Sequence, residues 1–273
     1  MASHWLIGHG RQKSGIQGMK LRVLGCSGGI GGPQLRTTSF LVDHDILIDA
    51  GSGVGELALP QLERIDHVFV THAHLDHVLA LPLMLDAIAG RREKPVLVYA
   101  IPEVIASLRQ HIFNGSIWPD FSRLPDEVNP FLRFVPINFG ETVSLDDREI
   151  TALPVAHTVP AAGFRLDSGR ASLVFSGDTG PCDAFWQAVR AVENLRYLIV
   201  ECAYSNQGCE MATLTKHMCP RHLAAELRHL DTCHELFITH LKPGEVEQTM
   251  AELDASLGDF SPRRLQNDQL FEF

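Results

Sequence analysis

An α/β fold built in layers, with two sheets held between helices, is the architecture this sequence predicts, and three observations carry it. Short apolar runs rich in Val, Ile, Leu and Phe recur along the chain, bounded by Gly, Pro, Asp or Asn, which is the pattern of buried strands. Between many of them lie stretches of helical length, so that strand and helix alternate as in a layered protein. At 273 residues and 45% hydrophobic, the chain is long and apolar enough to bury such a core.

In chain order, residues 1–18 read as a floppy leader: they show neither apolar periodicity nor a signal-peptide core. A single domain is expected over 19–273, opening with a strand from Lys20 to Gly25. The glycine-rich segment from Gly25 to Pro33 lacks the Gly-Lys-Ser/Thr ending of a nucleotide P-loop and reads as a turn crossing the mouth of a site. Thr38 to Val42 and Asp45 to Asp49 make a hairpin about Asp43 and His44. Val68 to Val70 is a strand, and a buried helix runs from about Asp76 to Ile88, interrupted by Pro82. A strand at Val96 to Tyr99 leads to a helix starting near Pro102, where proline is well tolerated in the first turn. The loop from His111 to Phe121 sets three aromatic rings among turn formers.

Strands at Phe131 to Val135, Glu149 to Leu153, Ala162 to Leu166 and Ala171 to Phe175 are expected to form the second sheet, the last two joined by a turn at Asp167 to Arg170. Helix Ala184 to Val192, strand Tyr197 to Val200, helix Arg221 to Leu230, strand Glu235 to Thr239 and helix Glu245 to Leu257 complete the pattern. No linker, repeat or low-complexity tract divides it.

The chemistry concentrates where the Val68 to Val70 strand ends, in Thr71-His72-Ala73-His74-Leu75-Asp76-His77. Positions 72, 74, 76 and 77 cannot share one face of a helix at about 3.6 residues per turn. On a strand end followed by a tight loop and a helix start, His72 and His74 share a side while Asp76 and His77 curl round to face them, a geometry suited to two metal ions. Further ligands each follow an apolar run: His157 after Ile150 to Val155, Asp178 after Ser172 to Phe175, and His240 after Leu236 to Thr239. Together the seven make two ligand sets. His4, His9, His44, His67, His111, His222, His229 and His234 read as surface or packing residues.

On these residues the chain, from about Met19 to its end, resembles the metallo-β-lactamase fold hydrolases, which implies a four-layer αββα sandwich. The resemblance implies that His72, His74 and His157 hold one metal, Asp76, His77 and His240 a second, and Asp178 bridges both. An aspartate at 178, where β-lactamases of the common kind carry cysteine, is similar to the phosphodiesterase, ribonuclease and thioesterase branches. Asp49 would sit behind the ligands and fix a histidine tautomer; the alternative is a turn-forming aspartate.

A narrower resemblance, to the class II cyclic-nucleotide phosphodiesterases, rests on segments in matching order: Thr-His-x-His-Leu-Asp-His, Phe-Asn-Gly-x-Ile-Trp-Pro at 113–119, Phe175 to Pro181, Glu201 to Asn206, Lys216 to Pro220, and Ile238 to Pro243. The chain departs from the family pattern at Ala80, where many members have glycine, and at Met218-Cys219 in place of Leu-Thr. The resemblance implies hydrolysis of cyclic AMP or cyclic GMP to the 5′-monophosphate, two divalent ions ionising a shared water, and Asn114 and Trp118 holding base or ribose. Asp76 is expected to orient the attacking oxygen. His217, in a loop before a helix, is expected either to protonate the leaving 3′ oxygen or to serve as a phosphate contact.

A net charge of −10 argues against a long nucleic acid as substrate but not against a small anion, since bound cations supply positive charge. The six cysteines form no C-x-x-C pair and read as thiols in a reducing compartment, hence a cytoplasmic protein. No run approaches the roughly 18 apolar residues of a membrane span. The ligands suit Zn²⁺, with Mn²⁺ or Fe²⁺ as alternatives, and a homodimer is allowed. Competing readings are an RNA-processing phosphodiesterase, which calls for a basic arm, a thioesterase, which calls for a helical appendage, and a metal- or nucleotide-binding scaffold without turnover.

Overall fold

The computed structural model of the chain describes residues 18–228, 230 and 235–273, so all but Gly18 of the expected leader lies outside the described residues. The first half contributes β1 (Lys20–Gly25), β2 (Ser39–Val42), β3 (Ile46–Ile48), α1 (Leu59–Leu62), β4 (His67–Phe69), α2 (Leu75–Val78), α3 (Ala80–Ile88), β5 (Val96–Ala100), α4 (Pro102–His111) and β6 (Leu132–Pro136). The second contributes β7 (Thr142–Leu145), β8 (Arg148–Pro154), β9 (Ala162–Asp167), β10 (Ser172–Phe175), α5 (Asp183–Arg190), β11 (Leu195–Glu201), α6 (Cys209–Thr215), α7 (Pro220–Leu227), β12 (Glu235–Thr239), α8 (Val246–Ser256), β13 (Arg263–Arg264) and β14 (Leu270–Glu272).

Side-chain alternation along the central strands makes the layers. Leu47, Val68 and Val98 point to a cluster shared with Leu81, Met84, Leu85 and Leu108 of the helices on one outer face. Their neighbours Ile46, Ile48 and Phe69 point the other way, to a cluster shared with Phe164, Leu166, Phe175, Ile199 and Phe237 of the facing sheet. From that second sheet, Val174, Leu198, Val200, Leu236 and Ile238 face Phe185, Trp186, Leu223, Leu227 and Leu253. Strands buried on both faces read as unbroken apolar runs, and the result is the expected αββα sandwich. Aromatic rings lock the two sheets together: Phe40 meets Phe175 edge-on at 4.8 Å between centroids, and Phe69 meets Phe164 at 5.6 Å.

The first sheet has the order β14-β1-β2-β3-β4-β5-β6 and the second β13-β12-β11-β10-β9-β8-β7. β3 to β6 run parallel, as do β10 to β13, so successive loops emerge at one rim of each sheet. The strand expected at Phe131 to Val135 therefore belongs to the first sheet and not the second. It follows a crossover through α4 and returns beside β5 with parallel register, as such crossovers do. At the far edge β14, which has no expected counterpart, pairs antiparallel with β1.

The helix expected from Asp76 to Ile88 is two segments, because its backbone bonds are diverted at the joint. His77 O accepts from Ala50 N at 2.7 Å, and Ala80 N donates to Ala50 O at 2.9 Å in place of the carbonyl one turn back. Pro82, which has no N–H, removes a further bond. Gly51 permits this approach: a Cβ there would stand 2.4 Å from Asp76 O and 2.6 Å from Thr38 O.

Two of the cysteines expected as thiols are paired. Lys216 takes a left-handed conformation (φ 50°) that turns the chain back between α6 and α7. The Cα atoms of Cys209 and Cys219 thereby come within 5.4 Å, inside disulfide range, and the two are joined. Cys26, Cys182 and Cys202 are free, while Cys233 lies outside the described residues. The ground for expecting a reducing compartment from the cysteines is thus removed. Among the described residues no helix is long and apolar enough to cross a membrane.

At the pole opposite the parallel-strand rim, Arg148 of β8 reaches across to the β2–β3 turn, with Nη1 2.6 Å from Asp45 Oδ1 and 3.1 Å from Asp43 Oδ2. Burial alone would lift the Asp45 carboxyl, but the guanidinium holds it below its ordinary value. A depressed carboxyl stabilises the fold above its unfolded pKa of about 4, and that contribution disappears as pH falls through the folded value. Arg148→Met, which keeps the aliphatic stem, is expected to lower unfolding free energy by about 1–3 kcal/mol at pH 7. In urea titrations of chelator-treated protein the deficit should shrink towards pH 3; an equal deficit at both pH values would count against the ion pair.

Candidate metal centre

Each candidate ligand lies just beyond a strand end at the rim where the sheets meet. His72 and His74 follow β4, Asp76 and His77 occupy the first turn of α2, His157 follows β8, Asp178 follows β10 and His240 follows β12. Two sets result, each with its ligand atoms within 4.8 Å of one another: His72, His74, His157 and Asp178, and Asp76, His77, Asp178 and His240. All seven sequence-predicted ligands are brought together, and Asp178 is common to both sets. Its Oδ2 lies 3.6 Å from His72 Nε2 and 4.0 Å from His157 Nε2, while its Oδ1 lies 3.3 Å from His77 Nε2 and 3.2 Å from His240 Nδ1. Asp76, its side chain 31% exposed, places Oδ2 3.9 Å from His77 Nε2 and 3.8 Å from His240 Nε2. It is the carboxylate that faces the opening.

The hydrogen bonds behind the cluster determine which ring nitrogen carries a proton. Asp49 is fully buried and accepts from Thr71 N (2.8 Å), Thr71 Oγ1 (2.8 Å) and His77 Nδ1 (2.7 Å). With its own proton given to Asp49, Thr71 Oγ1 accepts from His72 Nδ1 at 3.0 Å. His157 Nδ1 must donate to Lys216 O at 3.0 Å, since a carbonyl only accepts. In His72 and His157 Nε2 is left with a lone pair aimed into the cluster, and His77, held at Nδ1 by Asp49, turns Nε2 the same way. His74 Nδ1 and His157 Nε2 approach to 3.2 Å. Asp49 itself is left-handed (φ 57°), as is His240 (φ 59°). Such backbone costs a non-glycine residue about 1–2 kcal/mol and is held in place by the surrounding contacts.

Burial pushes the imidazoles towards their neutral, ligating form: His72 falls well below its ordinary value, His157 to about 4 and His240 to about 3. Burial also acts against charge on His77, but the Asp178 and Asp49 carboxylates outweigh it and hold that ring well above the usual histidine range. Asp178 would be lifted by burial, yet the imidazoles packed against it, with His77 the one that carries charge, hold it well below its ordinary value. Asp49→Ala should therefore release His77 from its tautomer and weaken zinc binding by about 10–100-fold, as loss of a ligand's hydrogen-bond partner does. Calorimetric titration of the metal-free variant checks this, and an unchanged affinity would mean that Asp49 is only a turn former.

His217 sits beside the two sets, its ring 4.9 Å from His157 and stacked on His240 at 5.1 Å. Its Nδ1 is 2.7 Å from Glu201 Oε1, and Asp178, Glu201 and His217 form a third compact group. Glu201, at the end of β11, is fully buried and also accepts from Thr179 N (2.9 Å), Ala203 N (3.1 Å) and Met218 N (3.2 Å). Burial raises the Glu201 carboxyl. Burial opposes charge on His217 too, but the facing Glu201 carboxylate raises it. The sequence reading assigned Glu201 no role, although a lone carboxylate closing the apolar run from Tyr197 to Val200 has the same signature as Asp178 after Phe175.

Asn114 and Trp118 are not drawn into this cluster. Asn114 Oδ1 accepts from Ser116 N (2.9 Å) and Ile117 N (2.8 Å) while Nδ2 donates to Gln110 O (3.0 Å), so its polar atoms close its own turn. Trp118 is half-buried against the outer core of the first sheet, where Phe113 and Phe121 are buried. The aromatic loop packs on its own scaffold, with Trp118 Nε1 left without a hydrogen-bond partner.

A family model described as the β-lactamase superfamily domain matches residues 44–256, a span that contains every member of both ligand sets. The chain belongs to that superfamily. An uncharacterised protein of Mycobacterium tuberculosis is 27% identical over 256 residues, covering 88% of this chain and 85% of that one. A probable 3′,5′-cyclic-nucleotide phosphodiesterase of Yersinia pestis is 25% identical over 273 residues (81% and 77%), and relatives named ribonuclease Z also occur. The crystal structure of unliganded yeast PDE1 superposes with a TM-score of 0.78 at 17% identity, covering 93% of this chain and 99% of that one, and supports the fold.

As a member of the β-lactamase superfamily the protein is a metal-dependent hydrolase, and its residues meet the requirement for divalent ions. His72 Nε2, His77 Nε2, Asp178 Oδ1 and both ring nitrogens of His240 are buried without a hydrogen-bond partner. Unpaired polar atoms of this kind are costly, and here they converge. Nitrogen and carboxylate donors crowded round a shared aspartate are a donor set for Zn²⁺, Mn²⁺ or Fe²⁺.

Proposed function

We propose that this superfamily member is a dinuclear-metal phosphodiesterase that hydrolyses 3′,5′-cyclic nucleotides to 5′-monophosphates. His72, His74 and His157 would hold one ion, Asp76, His77 and His240 a second, and Asp178 both. The observation that carries the reading is the buried His217–Glu201 pair standing against two ligand sets that share one carboxylate. When bound, paired divalent ions bring the pKa of a shared water towards neutrality and offset charge on the non-bridging phosphate oxygens.

The chain's own groups do the rest. Asp76, half-exposed at the opening, orients the attacking water through its free oxygen. As the new P–O bond forms, the bond from phosphorus to the 3′ oxygen breaks. That alkoxide is a poor leaving group unless a proton reaches it. His217 would give that proton from Nε2, its Nδ1 being committed to Glu201. Glu201 in turn stabilises the charged ring. The likeness to a phosphodiesterase of Yersinia pestis supports a cyclic substrate, and the net charge of −10 favours a small anion over a long nucleic acid.

The test is release of 5′-monophosphate from cyclic AMP and cyclic GMP by zinc- or manganese-loaded protein, beside bis(p-nitrophenyl) phosphate and a precursor transfer RNA. Turnover of a cyclic nucleotide supports the proposal. Cleavage of the generic ester and the RNA alone would move the protein to the ribonuclease branch, and no ester cleavage at all would favour a binding scaffold.

A further inference from the structure

The metal centre leans on one loop held by a bond it does not itself contain. Residues 209–219 run from α6 through Lys216 and His217 to the start of α7, and the Cys209–Cys219 disulfide closes them into a ring. Within the ring, Lys216 O receives the proton of His157 Nδ1, while His217 Nδ1 and Met218 N both donate to Glu201. Apart from the disulfide, α6 meets α7 through Thr213 Oγ1, 3.4 Å from His222 Nε2, and buries little of itself. Ala212 is its only buried residue, and Met211 and Leu214 are 48% and 73% exposed. Lys216, moreover, holds the left-handed conformation, uncommon for a residue other than glycine, that ends α6.

The disulfide is also placed to be opened. Cys209 is half-buried and so within reach of an incoming thiolate, whereas Cys219 is fully buried at the N-cap of α7. Exchange is thereby directed, with the accessible sulfur attacked and the buried one leaving. One turn further on stands His222: its Nδ1 is buried and unpartnered, and a ring nitrogen lies within 4.8 Å of both sulfurs.

We propose that Cys209 and Cys219 are a reducible pair whose state sets how firmly the loop of Lys216 and His217 holds the metal centre. A small dithiol is the reductant. Its thiolate attacks the Cys209 sulfur, the S–S bond breaks and Cys219 leaves, with His222 as the adjacent proton donor. The second thiol of the reductant then displaces Cys209. Two electrons and two protons pass to the protein, which gains two thiols while the dithiol becomes a cyclic disulfide. With the ring open, α6 loses its tether and Lys216 O no longer fixes the His157 tautomer. The inference rests on the metal centre and not on the identity of the ester.

Protein purified without reductant is blocked with iodoacetamide, treated with dithiothreitol, alkylated again and desalted, then titrated with zinc by calorimetry. The second alkylation should label Cys209 and Cys219. Zinc affinity should fall by about tenfold or more, as for loss of any group that orients a ligand, and bis(p-nitrophenyl) phosphate hydrolysis should fall with it. The Cys209→Ser/Cys219→Ser double variant should match the reduced protein and ignore dithiothreitol. If that variant fails to fold, the reduction of the unaltered chain decides. Equal zinc affinity before and after reduction, or sulfurs already free or inert to dithiothreitol in the folded protein, would overturn the proposal. Because zinc binding is read without substrate, it stands or falls apart from the assignment of cyclic nucleotides.

Discussion

Asp178→Ala is expected to lower hydrolysis of every phosphodiester by roughly a thousandfold or more, the equivalent of the several kcal/mol of charge stabilisation that metal ions supply to such a transition state. No other carboxylate belongs to both ligand sets. Its removal would take one candidate ligand from each set and deprive the buried His77 ring of one of the two carboxylates that hold its charge. Asp178→Asn keeps the shape but not the charge and should lose nearly as much. Metal content by plasma emission should drop for both positions together. An Asp178→Ala protein that retained activity and its full metal complement would remove the basis for a shared dinuclear centre.

The second large effect belongs to His217 and Glu201. With cyclic AMP, His217→Ala is expected to reduce kcat by about 10²–10⁴-fold, the range for loss of a general acid, and Glu201→Gln by a comparable amount through loss of the charge that faces the ring. With bis(p-nitrophenyl) phosphate the same variants should lose far less, because p-nitrophenolate departs without a proton. Metal content should stay near normal, since His217 falls in neither of the two sets assigned to the ions. Equal losses on both esters would assign His217 to phosphate contact or to support of the site, and the proton would have to come from elsewhere.

These expectations draw unequally on sequence and fold. The seven candidate ligands could be picked out of the chain because each is a strong ligand type at the end of its own apolar run, and a buried parallel strand must deliver whatever follows it to the rim. His157 and His240 lie 80 and more residues beyond the motif at 72–77, yet the fold brings them to it, since β8 and β12 end at the same rim as β4. Asp49 was legible by resemblance alone. Its hydrogen bond to His77, 28 residues away in sequence, is a product of the parallel pairing of β3 and β4.

Glu201 shows the opposite case. Its residue type and position resemble those of Asp178, but nothing local says that His217 will fold back onto it. Asn114 and Trp118 sit in an aromatic loop of a kind that looks alike in sequence whether its rings face a ligand or their own helix, and only the fold shows that Phe113 and Phe121 are buried. The cysteines misled for a similar reason: a spacing of ten residues is uninformative until the left-handed turn at Lys216 brings the Cα atoms together.

By itself the sequence determined the layered fold, the candidate ligand types and the rim on which they gather, because each follows from hydrophobic pattern and strand direction, which are properties of short stretches. Only the tertiary structure decided that β6 completes the first sheet, that the imidazoles present Nε2 inward from His72, His77 and His157, and that Glu201 faces His217. Those outcomes depend on which donor meets which acceptor across the packed sheets. A hydrogen bond or a disulfide between residues distant in sequence exists only once the core has set the distance between them.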